Sequence, residues 1–139
     1  MKKITSHGLE IIAEDGLPNR NMTLHLYTND VTPANDGMFT STTFTEASTD
    51  DGYAEATLES TAWAFSTADS GGYPTYEATQ AQVDFVFDST SEINVYGWYT
   101  LSTDDNVVWA ERLSPTANLP SGSGTISINP KHVFSVQAE

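Results

Sequence analysis

Large apolar residues recur along this chain at every second position in short runs. Gly, Pro, Asn, Asp and Ser break the runs, and this is the pattern of strands joined by turns. Residues 93–113 carry it most strongly: INVYGWYTL, then the polar STDDN, then VVWAERL, which predicts a hairpin. In its first half Ile93, Val95, Tyr99 and Leu101 share one parity, and Tyr96 and Trp98 the other. A strand with bulky apolar groups on both faces is central in a two-layer fold or covered by a partner. Residues 22–28 alternate Leu24 and Leu26 against Thr23, His25 and Tyr27, and residues 81–87 set Val83, Phe85 and Phe87 against Asp84. Residues 53–65 alternate more loosely, and two short strands are predicted over 124–129 and 132–136, around Pro130-Lys131.

The intervals complete the outline. Residues 6–15 hold the single helical pattern, with Ser6 as cap, Leu9, Ile12 and Ala13 on one side and Gly16 as terminator. Residues 29–37 read as loop, and 38–51 as irregular extended chain anchored by Phe39 and Phe44. The Gly- and Pro-marked stretches 66–80 and 114–123 read as a long exposed loop and a connection. Seven or eight short strands with this punctuation predict an all-β fold, an antiparallel β-sandwich or jelly roll. Residues 1–21 would form a short amino-terminal helix or arm and 22–139 a single β-sandwich domain.

Charge narrows the partners. Five Lys and Arg stand against nineteen Asp and Glu, a net charge of -14 in 139 residues. Nucleic-acid binding needs cations that displace phosphate counterions, and Lys2, Lys3, Arg20, Arg112 and Lys131 form no stripe. A neutral or cationic protein surface is the natural partner. No apolar run approaches a membrane span, and no apolar core follows Met1-Lys2-Lys3. A soluble chain without an export signal is therefore expected. Cysteine is absent, so disulfides and thiolate metal sites are excluded.

No catalytic motif is written locally. His7, His25 and His132 lie in different elements without metal-ligand spacing, and there is no GxSxG elbow. Asp50-Asp51 and Asp104-Asp105 lack the calcium-loop pattern and read as solvated turn residues. A hydrolase using Glu111 beside Trp109 would need a second carboxyl across a cleft, which no motif supplies. Catalytic residues, metal ligands and cofactors are accordingly expected to be none. The aromatics Trp63, Tyr73, Tyr76, Tyr96 and Trp98 either fill the core or form a contact surface. Tyr73, Tyr76, Tyr96 and Trp98 are the interface candidates. Gly97, inside a strand, makes room for a neighbour, with Trp63 or Trp109 as the candidates.

Several segments in order resemble a known group. They are LHLYTNDVTPA over 24–34, FTEA over 44–47, GYA over 52–54, VYGWY over 95–99 and WAERL over 109–113. Leu119, Gly122, Ile126, Ile128 and Pro130 close the series. Together they resemble small virion structural proteins of tailed bacteriophages. Leu113 stands where the resemblance leads one to expect an aromatic, and the Gly71-Gly72-Tyr73-Pro74 stretch is expanded. The resemblance implies a virion component made in the host cytoplasm. The foremost expectation is a capsid decoration (cement) protein that binds the major capsid protein on the outside of the head and associates with itself as a homotrimer. The alternative is a tail- or fibre-associated module binding a glycan or receptor through Tyr73, Tyr76 and Trp98.

Overall fold

The computed structural model describes residues 16, 20–33, 39–70 and 73–135, with the backbone alone at 68–70, 73, 74 and 135. The helix expected over 6–15 lies outside them, as do the rest of residues 1–15, 17–19 and 136–139. Among the described residues the chain forms nine strands: β1 (Met22–Tyr27), β2 (Ala56–Leu58), β3 (Ala64–Ser70), β4 (Tyr73–Thr79), β5 (Val83–Ser89), β6 (Ile93–Ser102), β7 (Val107–Leu119), β8 (Gly122–Ile128) and β9 (Lys131–Ser135). Single 3-10 turns occur at Ser41–Thr43, Thr49–Asp51 and Ser60–Ala62.

All strand pairs are antiparallel, and the fold is an all-β sandwich. One layer has the order β2-β1-β6-β7. The other is built from β3-β4-β9 and β5-β8. β4 and β5 follow in line, as do β8 and β9, so the pairing Val83↔Ile128 resumes as Thr79↔Lys131. The break falls at Pro130, which has no N–H to give a ladder. Its carbonyl still accepts from the Gln80 N–H at 3.0 Å. Met22, Leu24, Leu26, Val95 and Trp98 from the first layer meet Ala78, Phe85, Phe87, Ile126 and Ile128 from the second in the main core.

Two intervals differ from the expectation. Residues 66–80 are no exposed loop: β3 and β4 form a hairpin paired from Ala64↔Thr79 to Ser70↔Tyr73. Thr75, Tyr76 and Ala78 are buried by it. Residues 114–123 are no mere connection either, because β7 runs through Pro115 to Leu119. It does so irregularly: Val95↔Ala117 is followed by Gly97↔Arg112, so β7 carries extra residues opposite Tyr96. An insertion of this kind bends and twists a ladder and re-aims side chains.

The irregularity explains why simple parity misplaced Trp98. Trp98 shares the main core with Ile93 and Val95, while Tyr99 and Leu101 face the other way. On that second face Tyr99 and Leu101 join Tyr27 and Phe44 in a smaller aromatic core. Val31 and Phe39, from the segment after β1, pack over it. The two-faced strand is thus covered on both sides by its own chain and needs no partner subunit for that purpose.

Candidate functional site

The edge of β1 is shared by two pieces of chain, and the strongest polar constellation lies where they divide. β2 pairs with the first half of β1, as Leu24↔Ala56. Residues 45–47 take the second half: Thr28 N donates to Thr45 O at 2.8 Å, and Ala47 N to Leu26 O at 3.0 Å. Between them the chain leaves the edge through the 3-10 turn Thr49–Asp51 and Gly52, which has a left-handed φ of 78°. A Glu stands at each end of this excursion, Glu46 as it leaves and Glu55 as it returns.

His25 lies on β1 between the two. Its side chain points away from the main core and stacks on Tyr99, with ring centroids 5.0 Å apart and planes 15° from parallel. The residue is 3% exposed. Its Nδ1 is 2.7 Å from Glu46 Oε1 and 3.5 Å from Glu55 Oε2. Its Nε2 is 2.7 Å from Thr23 Oγ1, two residues back on the same strand face. The Tyr53 hydroxyl accepts from Leu26 N–H at 3.1 Å and donates to Glu46 Oε1 at 3.1 Å. Burial raises the Tyr53 phenol pKa, the Leu26 N–H bond opposes that rise, and Glu46 adds to it. Burial also pushes Tyr99 up to about 12, with Glu46 and Glu55 adding to the effect. The donor atoms of His25, Glu46 and Glu55 all lie within 4.8 Å of one another, a set with the composition of a metal-ligand group.

A second constellation joins the loop after β1 to β6 and β7. Tyr27 OH donates to Val31 O at 3.0 Å, and its ring lies against Gly97, where an added Cβ would collide with it and with the Glu111 carbonyl. The neighbour that needs Gly97 is therefore Tyr27, not Trp63 or Trp109. Asn29 Nδ2 donates to Thr43 O at 3.0 Å, and Thr45 N donates to Asn29 Oδ1 at 2.8 Å. Arg112 donates to Asp30 Oδ1 at 2.6 Å and to Thr32 Oγ1 at 3.1 Å. Its guanidinium carbon sits 5.3 Å from the Tyr96 ring centroid, a cation–π distance. The loop after β1 is thereby fastened to β6 and β7.

The other sequence candidates scatter. Trp98 is 2% and Tyr76 3% exposed, so in the single chain both are core residues. Tyr76 stacks on Phe65. Tyr96 is half-buried beside Arg112, and Tyr73 opens β4, its side chain outside the description. Glu111 is exposed on β7, and Asp105 occupies a left-handed turn position with φ of 58°. His132 is buried far from His25 in sequence, its ring between Trp63 (5.0 Å) and Trp109 (4.7 Å).

The His25 group escaped the sequence because its members come from three segments with no fixed spacing. The single visible signal is a histidine set between Leu24 and Leu26 in a strand. Comparison with family models, with characterised proteins and with solved structures returns no match.

Proposed function

We propose that this chain is a structural protein of a tailed-bacteriophage virion. In this proposal it is a decoration protein that docks on the outside of the head, associates as a trimer and reinforces the lattice of the major capsid protein. It acts by binding, not by catalysis: each copy bridges neighbouring shell subunits, and many weak contacts sum through multivalency.

The observation that carries the proposal is where the resembling segments go. Tyr27, Asn29, Asp30, Gly97, Trp98 and Arg112 are spent on holding strands and loop together, as a passive scaffold requires. The net charge of -14 favours the outer side of a shell over its DNA-filled interior. A glycan-binding tail module is the weaker alternative. It needs aromatic faces open to a sugar, yet Tyr76 and Trp98 are buried, and Arg112 packs against Tyr96.

Quantitative mass spectrometry and electron microscopy of purified particles test the proposal. Hundreds of copies on the head surface are expected. A handful at the tail would favour the alternative, and particles devoid of the chain would end both.

A further inference from the structure

We propose that His25, Glu46 and Glu55 form a binding site for a first-row divalent transition metal ion, with zinc as its representative. The inference is independent of the virion role. The site would be structural, pinning both ends of the excursion 47–55 to β1.

The geometry is close to what zinc requires. Zinc bonds to imidazole nitrogen and carboxylate oxygen at about 2.0–2.2 Å, so the edges of its tetrahedron are about 3.3–3.6 Å. The Nδ1-to-Glu55 separation is already 3.5 Å, and the Nδ1-to-Glu46 separation of 2.7 Å has to open only slightly. Both carboxylates can make that adjustment, their side chains being 41% and 57% exposed, while the imidazole is fixed by burial. The same exposure admits a water as fourth ligand.

The surroundings fit as well. A metal-bound imidazole donates its other N–H to an oxygen that orients it, and Thr23 Oγ1 stands 2.7 Å from Nε2 to accept. With no metal, a proton on Nδ1 can bridge to Glu46 while the Thr23 hydroxyl donates to Nε2. Zinc replaces that bridge, and the imidazole proton moves from Nδ1 to Nε2, so no proton is gained or lost. Tyr53 OH holds Glu46 from behind. Among the described residues neither Glu46 nor Glu55 pairs with a Lys or Arg. Among those residues the two carboxylates therefore converge without a permanent cation. One imidazole among three protein ligands favours zinc over calcium or magnesium, which prefer all-oxygen sites.

Zinc chloride titrated into the full chain, followed by calorimetry and thermal melting, tests this. One zinc per chain is expected, with Tm raised on the order of 5–10 °C at a hundredfold excess over Kd. Glu55→Gln changes an exposed side chain and should leave the fold intact. It should weaken binding by at least the roughly tenfold that loss of an outer-shell partner costs a metal site. In nitrogen NMR the His25 ring should move to the tautomer protonated at Nε2 as zinc is added. Absence of saturable binding, equal affinity in E55Q, an unchanged His25 ring, or equal stabilisation by calcium chloride would each overturn the proposal.

Discussion

At the scale of single residues, two positions carry costs that the sequence marks only faintly. Gly97 is the point where Tyr27 crosses β6, and the space a methyl would fill already holds the tyrosine ring and a backbone carbonyl. The carbonyl belongs to the ladder and cannot retreat, so Gly97→Ala should lose about 2–3 kcal/mol by overpacking, read as a lower urea midpoint with unchanged m-value. His132 is the other. Its ring lies between two indoles, its Nε2 has no partner among the described residues, and burial pushes its pKa down from 6.5 to about 4. The folded state thus refuses a proton that the unfolded chain accepts. Stability should fall as pH drops below the unfolded value, by about 2 kcal/mol between pH 7 and pH 5. Chemical denaturation at several pH values checks this, and His132→Phe should flatten that part of the slope.

Elements differ in how they are held. β1 and β6 have neighbours on both edges and bury side chains on both faces. β2 has three residues and lies at a sheet edge. Amide exchange should therefore be slowest at Leu24, Leu26 and Tyr99, opening only with global unfolding, and fast in β2. The loop after β1 depends on Arg112, which reaches Asp30 and Thr32 while lying against Tyr96. Asp30 is 70% exposed, which keeps the pair weak. Arg112→Ala should cost about 1 kcal/mol, and a double-mutant cycle with Asp30→Asn should give a coupling below that figure. Lysine should rescue little, because it cannot stack on the ring and donate sideways at once.

For the whole molecule, charge is the dominant global property. Nineteen acidic residues against five basic ones make the chain repel itself. Screening shortens that repulsion to about 8 Å at physiological salt. Raising sodium chloride from 20 to 200 mM should therefore raise Tm, the reverse of a fold held by surface ion pairs. The described Lys and Arg ion pairs, Arg112–Asp30 and Lys131–Glu77, are too sparse to cancel this gain. Exposed large apolar side chains among the described residues are Val86 and Val108, at 59% and 43%. For the proposed docking on a shell or a sibling copy, the described surface would therefore contribute mostly polar contacts.

Local alternation was enough to define β1, β5 and the β6–β7 hairpin, because a period of two with β-branched and aromatic residues fits few other backbones. The same logic was overruled at β3–β4, where Ser and Thr hide the alternation of Tyr76 and Ala78. Gly71-Gly72 is a two-residue hairpin signal, but it stands amid Ser, Thr and Pro that by themselves read as loop. It was overruled again at β7, where Pro115 sits inside a strand that tolerates it at an irregularity. Strand class and acidity belong to the sequence because they depend on neighbours one or two residues apart and on composition. Which aromatics are buried, what Gly97 accommodates and that His25 meets Glu46 and Glu55 depend on register between strands distant in sequence. Those were decided only when the layers closed on one another.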